Sequence, residues 1–206
     1  MLAGSAPVWA ENARYEVQVH IGWSEQTHPI DWPNGGGHMT GMIGATHHGR
    51  YILFRDGRTA TTGLKVVAEN GRVAIMRAEM AEAARRGRVG EVFDSKGVGM
   101  VPGQMATTFN ATPEHSMVSM SSMIAPSPDW FTGVDSVQLM QNGAWVDTIT
   151  KPLWAWDAGT DSGTDYTSKN AETQPAQSIR LLYHQSFFSS EGLTPIGYAV
   201  FTRVAD

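Results

Sequence analysis

Short runs that alternate apolar and polar residues, cut apart by dense turn chemistry, leave few architectures open to this chain. Tyr15-Glu16-Val17-Gln18-Val19-His20-Ile21 places Tyr15, Val17, Val19 and Ile21 on one side of an extended backbone, because successive side chains of a strand point to opposite faces. Weaker runs of the same kind span 51–54, 117–124, 136–140, 145–150, 179–183 and 198–204. The 22 glycines and 10 prolines supply the turns between them. These seven runs show no regular alternation with helices, so the pattern predicts a mainly β chain, an antiparallel β-sandwich and not a parallel sheet. Two segments break the period. Thr62–Asn70 gathers Leu64, Val67 and Ala68 on one side and stops at Gly71, and 73–86 carries Val73, Met76, Met80 and Ala83 at helical spacing and stops at Gly87. They read as one or two amphipathic helices covering the sheet.

Composition narrows the function. The chain has 206 residues, 41% of them apolar and 17% charged, which suits a single domain over 11–206 with a sizeable core. No stretch approaches the roughly 18 consecutive apolar residues of a spanning helix. The formal charge is -5, from 15 basic and 20 acidic residues, and outside Arg85-Arg86-Gly87-Arg88 the basic residues are scattered. That distribution predicts no nucleic-acid partner. With no cysteine, thiol nucleophiles, disulfides and zinc-thiolate or iron-sulfur sites are excluded. The glycine-rich segment 97–103 opens no helix and precedes no Lys-Ser/Thr pair, so it is not a phosphate loop. At the start, MLAGSAPVWA (1–10) ends in small residues suited to signal cleavage but lacks a basic leader and a full apolar stretch. It reads either as the remnant of an export signal or as a disordered tail.

The usual catalytic signatures are missing: there is no His-Glu-x-x-His and no Gly-x-Ser-x-Gly. His47 and His48 are adjacent, but neighbours in a strand face opposite ways and could not easily share one ion. The richest segment is 154–166, where Asp157, Asp161 and Asp165 crowd a glycine-containing loop. Such carboxylates repel one another unless a hard divalent cation or local turn capping relieves them, and composition leaves both readings open. The spacing is not that of an EF-hand, since counting from Asp157 puts Gly159 at the third position and Ser168 at the twelfth. A second acidic loop, 124–136, fixes Asp129 after Pro126-Ser127-Pro128. If the strands at 117–124 and 145–150 are neighbours, the Asp129 and Asp157 loops emerge at one end of the sandwich, a natural place for a binding site.

Two stretches carry a resemblance. MIAPSPDWFTGVDSVQL (Met123 to Leu139) and WDAGTDSGTDYTSKNAETQP (Trp156 to Pro175), with His28-Pro29, HMTGMIGATHH (His38 to His48) and GLKVVAENG (Gly63 to Gly71) upstream, resemble the spondin domain family of F-spondin N-terminal type over most of the chain. The lack of cysteines and of companion modules resembles a stand-alone, bacterial-style member. The resemblance implies a sandwich similar to a C2 domain, with calcium held by loop aspartates at one end. Carried onto this sequence, the ligands are Asp129, Asp157 and Asp161, with the Ala158 carbonyl and with Asn110 where some relatives place an acid. It further implies a secreted module, extracellular or periplasmic, that binds a surface or extracellular ligand, protein or glycan, in adhesion. The alternative from another class is a metal-dependent hydrolase using the Asp cluster with His47, His48 or His115. Membrane-surface contact through Trp154 and Trp156 is a third, weaker expectation.

Overall fold

Because β1 (Ala13–Ile21) buries alternate residues on one face and exposes the others, it forms as the sequence predicts. The computed structural model describes residues 11–205, so the export-signal reading of 1–10 lies outside the described residues. After β1 come β2 (His38–Met39), β3 (Ile43–His47), the helices α1 (Thr62–Asn70) and α2 (Ala74–Arg85), β4 (Val89–Asp94), β5 (Gly103–Ala111) and β6 (Met117–Ala125). The rest comprises β7 (Trp130–Gln138), β8 (Met140–Gln141), β9 (Ala144–Trp145), β10 (Thr148–Asp157), β11 (Arg180–Leu181), β12 (Phe188–Ser189), β13 (Gly192–Leu193) and β14 (Gly197–Val204). Among the described residues no helix is long and apolar enough to cross a membrane.

Ten of the strands make one antiparallel sheet in the order β4-β3-β6-β7-β10-β14-β1-β5, with β2 on β6 and β11 on β10. The expected antiparallel β fold with two covering helices is present, but in place of two separate sheets a single sheet curls nearly shut. Its outermost strands meet at a seam. Phe93 of β4 stacks on Phe109 of β5 with ring centroids 4.5 Å apart, and the backbone and side-chain amides of Asn110 both donate to Glu91 Oε2, at 2.9 and 2.8 Å. Strand twist drives such curling, and near-closure removes most of the exposed edge.

The curl encloses one core, built on Tyr15, Val17, Trp23, Phe109, Trp130 and Phe201. A second core lies outside the sheet, where Leu64, Val67, Met76 and Met80 of the two helices meet Ile43, Phe54 and Phe131. The Met-bearing stripe of α2 is therefore packing, as helical stripes of this kind usually are. Cover on both faces explains where alternation fails as a guide. All of β3 is buried, and most of β6 and β7 is as well, so β3 and the first half of β7 carry no period of two to read. The run at 51–54 is not a strand but a loop that pushes Leu53 and Phe54 into the outer core. The run at 179–183 contains only the two-residue β11.

His47 is fully buried in β3, with Nδ1 donating to the His48 carbonyl at 3.0 Å and Nε2 lying 2.8 Å from Ser119 Oγ. Burial lowers its pKa, as it does that of His28. The unfolded chain thus takes up these protons more readily than the folded one. Their contribution to stability is complete above the unfolded value of 6.5 and is lost as pH falls toward the folded values. Between pH 7 and 5 each of the two imidazoles is expected to remove at most about 1.4 kcal/mol of urea-unfolding stability per pH unit, and the difference in slope between the unmodified chain and His47→Gln reads one such share whatever other groups titrate in that window.

Candidate metal centre

Asp129 ends the turn that joins β6 to β7, and Asp157 is the last residue of β10. Since β7 and β10 are neighbours with Asp157 opposite Trp130, the two acidic loops do leave the sheet side by side, with β7 lying between the strands that the sequence pattern paired. The Ala158 amide donates to the Asp129 carbonyl at 3.2 Å, which ties the loops together at their base.

The chain then turns back over Asp129. Thr160 N at 2.7 Å, Thr160 Oγ1 at 3.3 Å and Asp161 N at 3.0 Å all donate to Asp129 Oδ2. The other oxygen, Oδ1, is buried and has no hydrogen-bond partner among the described residues, and Asp129 as a whole has 0% exposure. Burial, and next the charge of Asp157, push its pKa up to about 6, against the opposing pull of the Thr160 and Asp161 donors. Burying a carboxylate oxygen without a donor is costly, and Asp129 bears that cost at this end of the sheet.

The neighbouring carboxylates are better supplied. Asp157 Oδ1 accepts from Gly159 N at 2.7 Å, while Oδ2 accepts from Arg180 Nε and Nη2 at 3.1 and 2.8 Å. Asp161 Oδ1 accepts from Gly163 N and Oδ2 from Ala171 N, both at 2.8 Å. Among the described residues no three Asp, Glu or His side chains are already gathered as an ion cage. What the loops hold is a set of nearby carboxylates, two of them satisfied by local donors and one with an oxygen free. A cleft of about 470 Å³ opens beside them, lined by Trp130, Asp157, Asp161, Arg180, Tyr183 and His184.

A profile of the Spondin_N family matches residues 13–192. The chain belongs to the Spondin_N family. Spondin-1 of Rattus norvegicus and Spondin-1 of Homo sapiens are each 33% identical to it over 209 residues, covering 94% of this chain and 25% of their own length. Spondin-2 of Rattus norvegicus is 33% identical over 170 residues, covering 81% of this chain and 52% of its own. The Spondin_N chain thus spans a quarter of Spondin-1 and about half of Spondin-2.

Not every residue assigned from sequence to this Spondin_N site is brought to it. Asn110 is placed at the opposite end of the barrel: its strand pairs with β1 so that Gly103 faces Ile21 and Asn110 faces Arg14. The Ile21 end is the one that lies beside Gly197 and Leu153, toward Asp157. Asn110 instead serves the β4–β5 seam, where its carbonyl also accepts from Thr46 Oγ1 at 3.3 Å. His47, His48 and His115 sit at that far end too, against Met117, Arg88 and Gly87, and none lines the cleft. Trp154 and Trp156 are half-buried on the outer face of β10, and Trp156 packs edge-on against Phe54 with centroids 5.5 Å apart. Asp165 caps its own turn at Thr167. Arg180 and His184 are the cleft residues that sequence reasoning missed. The pairing of β11 with β10, which sets Arg180 opposite Asp157, discloses the first, and packing against Trp130 with ring centroids 5.5 Å apart discloses the second.

Gly159 holds the acidic loop in its path. Its φ is +73°, and a Cβ there would lie 2.5 Å from the Gln177 carbonyl oxygen. Gly159→Ala is therefore expected to destabilise the domain by about 3 kcal/mol in urea unfolding through backbone strain and this clash, while leaving the far-end seam intact.

Proposed function

We propose that this Spondin_N domain is a secreted binding module whose loop end is organised by one calcium ion held by Asp129, Asp157 and Asp161. The observation that carries the reading is Asp129 Oδ1, a buried carboxylate oxygen without a partner beside a second carboxylate whose charge it feels. A hard cation is the ligand such an oxygen suits, and calcium accepts several oxygens on flexible loops. Three carboxylates supply -3 against +2, a charge that backbone oxygens and water can accompany in the usual shell of roughly six to eight ligands. The Ala158 carbonyl is the backbone donor of the proposed set. The bound ion supplies electrostatic cross-linking: it would join the 126–129 turn to the 158–161 loop and stiffen the floor of the cleft.

Kinship with Spondin-1 and Spondin-2 supports binding in an extracellular or periplasmic setting, with a protein or glycan partner at a cell surface or in a matrix, over catalysis. The distance of His47, His48 and His115 from the cleft weighs the same way, since a hydrolytic base must lie within hydrogen-bond reach of the reacting water.

Calorimetric titration with calcium chloride is expected to give one site per chain. At a free concentration of about 100 times Kd, the ion should add roughly 2.7 kcal/mol of stability. Asp129→Asn and Asp161→Asn should lose most of that increment, whereas Asp165→Asn should retain it. Equal melting temperatures in calcium and in chelator, or identical behaviour of Asp161→Asn and Asp165→Asn, would overturn the assignment.

A further inference from the structure

The satisfied half of the cluster has its own logic. Asp157 Oδ2 is held by two N–H groups of one guanidinium, and Arg180 is delivered there by the backbone because it is the direct register partner of Asp157. The two ends of the pair differ sharply in environment: the Asp157 side chain is 8% exposed and that of Arg180 63%. A buried carboxylate needs a counter-charge, and an exposed arginine can leave one without stranding itself, since its charge returns to water.

The geometry points to Arg180 as the built-in counter-cation of this centre, a side chain that occupies Asp157 until a divalent ion displaces it. The inference rests on the calcium reading above and says how the site is regulated. A +2 ion at Asp157 and a guanidinium donating to the same oxygen repel at close range, and Oδ2 cannot direct its lone pairs fully to both. The mobile partner is Arg180, because Asp157 is pinned at the end of β10 and by Gly159 N. Calcium binding thus includes the loss of an ion pair, which weakens apparent affinity and makes the metal-free loop end stable enough to persist. Once released, the guanidinium joins Tyr183 and His184 on the wall of the cleft.

The test measures calcium affinity by calorimetry for the full chain, Arg180→Gln, Arg180→Lys and Lys65→Gln. Lys65 senses Asp161 electrostatically but bonds Glu172, so its variant reports loss of a nearby charge without loss of a competitor. Arg180→Gln should bind calcium about tenfold tighter than the unmodified chain and should melt lower in chelator, Arg180→Lys should fall between, and Lys65→Gln should change Kd less than threefold. In nitrogen-15 spectra the Arg180 Nε–H signal, identified by its absence from Arg180→Gln, should be protected from exchange in chelator and lose that protection in saturating calcium. Unchanged or weaker binding by Arg180→Gln, an equal effect from Lys65→Gln, or retained protection in calcium would overturn the inference while leaving the calcium site standing. Absence of calcium heat from every variant would overturn both. Binding by Arg180→Gln alone would overturn the displacement, since the unmodified chain would then not exchange its guanidinium for the ion.

Discussion

Apolar cover on both faces of the central strands is the constraint from which the rest of the architecture follows. Ile43 to His47 of β3 and most of β6 and β7 have no solvent face. One side of these strands needs helices, and α1 and α2 provide them through Leu64, Val67, Met76 and Met80. The other side needs a core that a flat sheet could not enclose, so the sheet rolls until β4 and β5 meet at the Phe93–Phe109 stack. Burial of apolar area favours both solutions at once. The Asn110–Glu91 bonds at the seam show why a residue that looked like a metal ligand is needed elsewhere.

The same burial creates the polar problem at the other end. β7 begins inside the fold, with Trp130 at 1% and Phe131 at 0% exposure, so the Asp129 before it is carried under cover as well. Aromatic packing fixes the lid: Tyr166, from the acidic loop, lies against Trp130 and Trp23 with centroids 5.1 and 5.7 Å away, and Phe187 lies 5.6 Å from Trp130. The loop that carries Asp161 is thus anchored to the inner core by one ring. A carboxylate trapped in this way can be met by backbone amides, by a side-chain cation or by a bound ion, and this end of the domain uses the first for Asp161, the first and second for Asp157, and only amides and one hydroxyl, on a single oxygen, for Asp129.

What could be read in advance divides along a physical line. The β1 pattern is explicit because its outer face meets solvent, and the two helices announce their ends through Gly71 and Gly87, both at φ 66°. By contrast, β3 and β4 were illegible: complete burial erases alternation in β3, and β4 is too short and mixed in exposure to show it. In β5, inward Thr107 interrupts the apolar face between Met105 and Phe109. The Asp129, Asp157 and Asp161 loops were legible as acidic, turn-rich segments, although nothing local could reveal which oxygens the fold would satisfy.

The order of polar and apolar residues by itself determined an antiparallel β fold, two covering helices and the acidic character of the two loops, because each depends on neighbours within a few positions, and composition alone removed thiol chemistry. Tertiary structure alone decided that one sheet would close on itself, that Asn110 would be spent on its seam, and that Arg180 would face Asp157 while Asp129 kept an oxygen without a donor. Those outcomes rest on contacts between residues 16, 19, 23 and 31 positions apart, and such pairings are set by strand register and packing, which no local pattern encodes.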